Sequence, residues 1–271
     1  MKENMVINLH ITDACNFNCK HCFAHFGAKR NLTVNEWKTI VDNTLENCNV
    51  RRFNLAGGEP LLYGDISELS DYIRSKGSEV SIITNGFNLS EKKIDQLAKC
   101  GISMIGLSID SANPQTLKKL GRNTASGNVL EPERCVNLCR YIRKKGISLK
   151  INTVVSLLNY TEDLNSFIME ASPDRWKILK IKKLENCHFN NTALLISDAQ
   201  FDSFVNCHNK VPRIVERNMA NTYIMVDAFG NLIDTDSGKN TPVANLLNDS
   251  FCKAFSQMNF DYENYRVRYA A

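Results

Sequence analysis

The sequence predicts an α/β fold, an open and partial (β/α)6 TIM-type barrel with a C-terminal extension that closes its open side. Strand patterns alternate with helix patterns through the first two-thirds of the chain, an order that gives a parallel sheet with right-handed crossovers. Successive strands also end in polar or glycine-rich segments, as expected where parallel strands carry a site at their carboxyl ends. We therefore expect residues 1–184 to form the barrel core and residues 185–271 to extend the same domain.

Apolar periodicity predicts the strands, and capping residues predict where the helices begin. The alternation of Ile7, Leu9 and Ile11 predicts the first strand, and Thr33 with Glu36 predicts a capping box at the first helix. The predicted strands span residues 6–12, 51–56, 79–84, 103–109, 148–155 and 175–182, and the predicted helices span residues 33–47, 65–76, 90–99, 131–145 and 161–171. Beyond the barrel core we expect a helix over 197–210 and a strand over 222–227.

Composition limits the classes of protein that the chain can belong to. Hydrophobic residues make up 43% of the 271 residues and charged residues 23%, which is typical of a globular domain. No apolar run reaches the ~18 residues of a membrane helix, and the first residues lack a signal-peptide pattern. We expect a monomer in the cytoplasm, with no membrane contact. The net charge of +4 is too small to indicate nucleic-acid binding, although it permits a local basic pocket.

Three of the ten cysteines, Cys15, Cys19 and Cys22, have the spacing C-x3-C-x2-C. Three thiolates can hold three irons of a [4Fe–4S] cluster and leave the fourth iron open to another ligand. The alternative is a structural zinc site with His21 or His25 as fourth ligand. Because such zinc sites usually pair two C-x2-C units and only one is present, the spacing favours the cluster.

The segments after the next strands could hold a cofactor beside these cysteines. Glycines at 57 and 58 would let backbone carbonyls approach a ligand, and Glu59 would supply charge or a hydrogen-bond acceptor. Asn85-Gly86 is either a ligand contact or a simple turn. Arg122 is either the partner of a carboxylate or a solvated loop charge.

Strand parity suggests a second, cationic group of residues. In the fifth strand the apolar set at 149, 151, 153 and 155 leaves Lys150 and Asn152 to point into the barrel. In the sixth strand Arg175 and Lys177 share parity with apolar residues, so the pattern does not settle which face is inward. Buried cations need an anion, so several together imply a phosphorylated substrate. The alternative is that they are rim charges on a solvated surface. The candidates for this cavity are Asn8, His10, Lys150, Asn152, Arg175 and Lys177.

Together these motifs resemble the radical S-adenosylmethionine (SAM) enzymes, and the viperin family in particular. The resemblance covers nearly the whole chain, including the cysteine motif with Phe23 after it, residues 8–12, 107–111, 121–122, 150–155, 162–164, 172–177, 221–227 and 238–239. It implies a [4Fe–4S] cluster on Cys15, Cys19 and Cys22, whose open iron binds the amino and carboxyl groups of SAM. It also assigns SAM contacts to Gly57, Gly58, Glu59, Asn85, Ser108 and Arg122.

The resemblance further implies the reaction. A nucleoside triphosphate would be dehydrated at the ribose to a 3′-deoxy-3′,4′-didehydro analogue, which terminates phage or viral RNA chains. A 5′-deoxyadenosyl radical would take the 4′ hydrogen, and flavodoxin or ferredoxin would supply electrons. Nucleotide contacts, mostly to the triphosphate, would come from Asn8, Lys150, Arg175, Lys177 and Lys239, with Asn152 added by its inward parity. Tyr223 would lie near the ribose and supply the final hydrogen or electron, unless it is a packing residue.

Two departures from animal members of the family leave the base open among CTP, GTP and UTP. Gly27 stands where those proteins carry a lysine, for which Lys29 or Arg30 could substitute, and residues 264–271 differ from their ending. One rival is a radical SAM enzyme that modifies a peptide or another small molecule, but the late cysteines are too dispersed for the auxiliary clusters that peptide-modifying members usually carry. The other rival is a non-catalytic iron–sulfur or zinc protein, which the glycine-rich segment at 57–60 argues against.

Overall fold

The computed structural model of the protein describes residues 4–24, 26–27, 30–184, 190–218, 220–235 and 240–269. Its strands are β1 Met5–His10, β2 Val50–Ala56, β3 Glu79–Thr84, β4 Ile102–Ser108, β5 Ser148–Val155, β6 Arg175–Lys180, β7 Ile214–Glu216, β8 Ile224–Val226, β9 Asn231–Asp234 and β10 Thr241–Asn245. Its α-helices are α1 Val34–Asn47, α2 Ile66–Ser75, α3 Glu91–Lys99, α4 Pro114–Lys119, α5 Pro132–Lys144, α6 Asn165–Ala171, α7 Asp198–Cys207, α8 Phe251–Phe255 and α9 Tyr262–Tyr269.

The strands form one sheet in the order β10-β9-β8-β1-β2-β3-β4-β5-β6-β7. All neighbours from β8 through β1 to β7 are parallel, whereas β9 and β10 are antiparallel additions at one edge. The first six strands alternate with helices, because a parallel neighbour can only be reached by a crossover. This order confirms the predicted partial (β/α)6 barrel with a C-terminal extension.

The apolar faces of the strands pack outward against the helices. Leu149 and Ile151 of β5, like Trp176 and Ile178 of β6, are at most 1% exposed. Each such Ile or Leu side chain contributes roughly 1.5–3 kcal/mol to folding. Their burial leaves the other face of both strands to the barrel interior, which settles the parity that the sequence left open.

The register of β5 and β6 brings the predicted polar residues together. Lys150 pairs with Arg175, and Asn152 pairs with Lys177. Residues paired across parallel strands share one face of the sheet. The prediction that Lys150 and Asn152 point into the barrel is therefore confirmed, and both residues of β6 lie on the same face.

Most predicted element boundaries agree with the structure, whereas the start of α6 and the presence of α4 differ from the prediction. The capping box at α1 is present, with Thr33 and Glu36 each bonded to the other's backbone. Helix α6 begins at Asn165 rather than at 161, because the buried Asn159 side chain holds the preceding segment as a turn and donates to Asp110 O at 2.6 Å. Helix α4 was missed, although Asn113 caps it and Pro114 begins it.

Helix α9 closes the barrel at the amino-terminal ends of the strands. The hydroxyl of Tyr265 accepts a hydrogen bond from the backbone N–H of Val6 in β1, at 2.6 Å. Arg268 donates to the carbonyls of Asn218 at 3.2 Å and Thr222 at 3.3 Å. The predicted closing role of the extension is thus performed by a helix that the sequence analysis did not identify.

None of the helices in the described part of the chain combines the length and the apolar character that crossing a membrane requires.

Tyr265→Phe should lower the free energy of unfolding by about 1–3 kcal/mol, because it leaves the buried N–H of Val6 without its acceptor. Urea unfolding measures this difference. Tyr160→Phe is the matched control, since no hydrogen bond of its partly exposed hydroxyl is present among the described residues. Equal stability of the two variants would show that α9 is not held by this contact.

Candidate active site

A cavity of about 260 Å³ runs from the carboxyl ends of the strands into the barrel. It joins the predicted cofactor end, with Cys15 and Arg122, to the predicted substrate end, with Lys150 and Tyr223. The predicted residues that line it are Asn8, His10, Cys15, Cys19, His21, Cys22, Gly57, Gly58, Asn85, Ser108, Arg122, Lys150, Asn152 and Tyr223. Glu59, Arg175 and Lys177 are not in its lining, and Lys239 and Lys29 lie outside the described residues.

The cysteine loop is fixed by the loop that follows α4. The N–H of Asn18 donates to Gly121 O at 3.1 Å, and the N–H of Lys20 donates to Leu120 O at 3.0 Å. Gly121 has a φ of 75°, and a Cβ there would collide with the backbone of Asn18. The glycine therefore permits the close approach that positions the cysteines.

The three thiols suit an iron–sulfur cluster better than a zinc ion. In a tetrahedral zinc site with Zn–S bonds of ~2.3 Å, the sulfurs lie about 3.8 Å apart. Among the described residues, three metal-binding side chains have their ligand atoms within 4.8 Å of one another, and these are Asp163, Cys207 and His208. The sulfurs of the three motif cysteines do not meet this limit and are therefore too far apart for one zinc ion. Each thiolate of a cluster binds a different iron, so a wider spacing fits it.

Of the two described histidines that zinc could use, His208 has no free ring nitrogen, whereas the Nδ1 of His21 has no hydrogen-bond partner among the described residues. Near the cysteines, His21 directs its Nε2 at a carboxylate oxygen of Asp110, 3.1 Å away. Far from them, both ring nitrogens of His208 are hydrogen-bonded to backbone, with Leu164 N at 2.8 Å and Phe204 O at 2.6 Å. His25, the other predicted zinc ligand, lies outside the described residues.

Burial raises the pKa of the Cys19 thiol to about 11 and that of Cys22 to about 12, and it also raises the pKa of Cys15. Metal ions bind the thiolate form, so they must replace these protons. Arg122 lies beside the thiols, with its Nη1 3.6 Å from the sulfur of Cys19. A cation in this position favours the thiolates that iron requires, so the residues present fit a cluster.

Arg122 is buried, at 7% exposure, and is not a solvated loop charge. Its Nε lies 3.2 Å from Asp110, and its Nη2 donates to Ser108 O. Burial alone would raise the pKa of Asp110, but Arg122 and His21 outweigh it and hold this pKa at about 2. Asp110, which the sequence analysis included only within residues 107–111 of the family resemblance, is thus the counter-ion of Arg122.

Gly57 and Gly58 let two strand-end loops touch. The N–H of Gly58 donates to Thr12 O at 2.6 Å, and a Cβ at either glycine would collide with the backbone of residues 12–14. Gly57 also has a φ of 143°, which other residues rarely adopt. The sequence analysis expected these glycines to admit a ligand, whereas in this structure they admit the segment that leads to the cysteines.

Glu59 is fully buried and braces the neighbouring loop. Its carboxylate accepts hydrogen bonds from the Thr84 hydroxyl at 2.6 Å and from the N–H groups of Asn85 at 2.8 Å and Leu61 at 3.1 Å. Burial raises its pKa, although these donors oppose the shift. Asn85 in turn donates to Asn16 Oδ1 at 2.8 Å, so Glu59 positions the cysteine loop through Asn85. A contact between Glu59 and SAM stays a prediction.

A polar ladder that was only partly predicted crosses the inner face of β3, β2 and β1. Ser81 donates to Asn54, Asn54 donates to Asn8 Oδ1 at 2.9 Å, and Asn8 donates to Ile224 O at 3.0 Å. The sequence analysis named Asn8 and missed the other two side chains. Both Asn54 and Ser81 are polar residues in otherwise apolar strands, and the alternation of each strand places them on its inner face. This pattern could have identified them from the sequence.

The substrate end carries an excess of positive charge. Burial, and then the charge of Lys177, hold the pKa of Lys150 well below its ordinary value, and Arg175 and Arg52 add to the repulsion. Among the described residues Lys150 has no carboxylate within ion-pair distance. His10 adds no charge here, because burial lowers its pKa to about 4 and its ring packs against Phe26 at 5.2 Å.

Lys177 and Tyr223 meet at Glu216, which sequence reasoning missed. Lys177 forms an ion pair with this carboxylate, and the Tyr223 hydroxyl donates to it at 2.9 Å. Arg268 approaches Glu216 within 3.2 Å and stacks 3.9 Å from the Tyr223 ring centre. Burial and the charge of Glu216 keep the pKa of Tyr223 well above 10, so it remains a phenol.

Several known proteins are similar to this chain in sequence or in fold. The Radical SAM superfamily matches residues 9–168. An S-adenosylmethionine-dependent nucleotide dehydratase of Selenomonas ruminantium is 39% identical, with 97% of this chain and 98% of that protein covered, and one of Flammeovirga pacifica is 34% identical, with 96% and 92% covered. The structure of Streptococcus suis SuiB bound to S-adenosylmethionine has a TM-score of 0.71 at 18% identity, with 97% of this chain and 67% of SuiB covered.

The match confirms the predicted cofactors. Radical SAM proteins use a [4Fe–4S] cluster and SAM, and SuiB was solved with SAM bound. The structural likeness shows the fold alone, whereas the sequence identities extend over nearly the full length of the two dehydratases. The chain therefore belongs to the radical SAM superfamily and, within it, to the viperin-like family of S-adenosylmethionine-dependent nucleotide dehydratases.

Proposed function

We propose that this chain dehydrates a nucleoside triphosphate, with CTP, GTP or UTP as substrate, to its 3′-deoxy-3′,4′-didehydro analogue, an anti-phage chain terminator. The observation that carries the proposal is a single cavity with three cysteines at one end and cationic side chains at the other. The relatives named nucleotide dehydratases support the same reaction class.

With both cofactors bound, one-electron cleavage of SAM supplies the radical that takes the ribose 4′ hydrogen. The 3′ hydroxyl then leaves as water, and this step consumes one proton and a second electron. The first electron comes from outside the chain. The second would reach the substrate through Tyr223, which is then reduced again from outside. We propose a flavodoxin or ferredoxin as donor of both electrons and a cytoplasmic monomer as the working form.

At the cofactor end, the roles follow from charge and position. Cys15, Cys19 and Cys22 would hold the cluster. Arg122 would meet the methionyl carboxylate while Asp110 keeps its guanidinium oriented. The other proposed SAM contacts are Gly57, Gly58, Glu59, Asn85 and Ser108.

At the substrate end, the cations would bind phosphates, with Lys150, Arg175 and Lys177 in this role together with Lys239. The Oδ1 atom of Asn152 is buried and has no hydrogen-bond partner among the described residues. It faces the cavity, so we assign it to a ribose hydroxyl. Asn8, whose side-chain amide is held in place by the polar ladder, would make a further contact with the nucleotide.

Anaerobically reconstituted enzyme with dithionite and SAM should form 5′-deoxyadenosine several-fold faster when its triphosphate substrate is added, because the substrate traps the radical. Chromatography of the product with CTP, GTP, UTP and ATP in parallel measures the effect and identifies the base. Cys19→Ser should lose both iron and activity, whereas the exposed Cys207→Ser should keep both. Stimulation by none of the four nucleotides would refute the proposed function.

Triphosphate affinity should fall as pH rises above about 7.5, where the terminal phosphate is already ionised. The pKa of Lys150 is depressed in the free enzyme, and a bound phosphate raises it. At any pH between the free and the bound pKa of Lys150, binding therefore takes up a proton. Lys150→Arg should flatten this pH dependence, because arginine stays charged. Titration calorimetry measures it, and Lys76→Arg, at the exposed pair with Asp42, is the control. An unchanged slope in Lys150→Arg would contradict phosphate binding by Lys150.

Tyr223→Phe should uncouple the reaction, because it keeps the ring beneath Arg268 and removes the hydroxyl that we propose as the source of the final hydrogen or electron. Formation of 5′-deoxyadenosine should continue, while the dehydrated nucleotide formed per 5′-deoxyadenosine falls several-fold. Quantifying both products by mass spectrometry gives the ratio, with Tyr160→Phe as control. A ratio equal to that of the unmodified enzyme would leave Tyr223 a packing residue.

A further inference from the structure

We propose that Glu216 is a built-in counter-anion, which neutralises the phosphate-binding cations of the free enzyme and is displaced from them by the substrate's phosphates. This inference rests on the proposed function, since the displacing anion is the triphosphate. It assigns Glu216 as a positioning residue whose removal should strengthen anion binding.

The carboxylate of Glu216 is buried and contacts three other side chains. The residue ends β7 and is 7% exposed. Its Oε1 contacts Lys177 of β6, and its Oε2 lies 3.2 Å from Arg268 of α9 and 2.9 Å from the Tyr223 hydroxyl. One carboxylate therefore links three separate parts of the chain at the closed end of the barrel.

The charges around Glu216 do not balance. Five positively charged side chains lie close enough here to repel one another: Arg52, Lys150, Arg175, Lys177 and Arg268. Among the described residues the carboxylates paired with them are Glu216 and, at 3.8 Å from Arg52, Glu79, which is 51% exposed. Burying like charges without compensation is unfavourable, so the free enzyme needs Glu216 and still retains an excess for a polyanion.

A phosphate group is a stronger partner for these cations than a carboxylate. It carries more charge and offers three acceptor oxygens to Lys177 and Arg268. After the exchange Glu216 would keep its bond from Tyr223. Arg268 would keep its bonds to Asn218 O and Thr222 O, at 3.2 and 3.3 Å. The contacts that dock α9 thus survive the loss of the ion pair, so the exchange does not require the barrel to open.

Titration of inorganic tripolyphosphate into the reconstituted enzyme tests this proposal. Glu216→Gln should bind it about tenfold tighter than the unmodified enzyme, because the competing anion is gone. Its melting temperature without ligand should be lower, and the increase on adding tripolyphosphate larger. Glu170→Gln makes the same chemical change at a 57% exposed carboxylate paired with Arg140, and should match the unmodified enzyme in both measurements.

Equal or weaker binding by Glu216→Gln would overturn the proposal. If that variant does not fold, a crystal structure of the unmodified enzyme with tripolyphosphate decides, since the contact between Glu216 and Lys177 should be broken there and its retention would refute displacement. The proposed function fails separately, when no nucleotide is dehydrated. In that case tighter tripolyphosphate binding by Glu216→Gln would still establish the anion exchange.

Discussion

Parallel pairing of β1 to β6 is the constraint on which the site depends. It brings the carboxyl ends of the strands to one edge, so that the loops carrying the cysteines, Gly57-Gly58 and Asn85 must meet there. It also fixes which residues share the inner face, as with Lys150 and Arg175. Hydrogen bonds between neighbouring loops, such as Gly58 N to Thr12 O and Asn85 N to the Glu59 carboxylate, then hold these segments together at the shared edge.

The cavity is electrostatically divided between its two ends. At the cysteine end, Arg122 is matched by Asp110, so the local charge is balanced before iron and SAM add theirs. At the closed end, cations outnumber carboxylates, and burial makes the excess costly until an anion arrives. We propose that this cost in folding stability maintains a polyanion site at the opposite end of the cavity from the cysteines.

The sequence predicts the local parts of this site and fails where partners are distant. The cap at Thr33 and the inward parity of Lys150 depend on neighbouring residues, and the structure agrees with both. The cysteine spacing is equally local, and the structure places all three cysteines in the lining of one cavity. Glu216 escaped notice because β7 has only three residues and its partners lie in β6 and α9. The brace that Glu59 forms was missed as well, because two of its donors, Thr84 and Asn85, lie at the end of a different strand. Lys239 lies outside the described residues and stays a prediction.

The central claim is that the cysteine end generates a radical that reaches the ribose of a nucleotide held at the cationic end. The most direct measurement uses the preferred triphosphate with deuterium at C4′ and mass spectrometry of the 5′-deoxyadenosine formed. Transfer of one deuterium from C4′, and none from substrate labelled at C5′, is the expected result. Unlabelled 5′-deoxyadenosine from the C4′ substrate, under conditions where the nucleotide is consumed, would contradict the account.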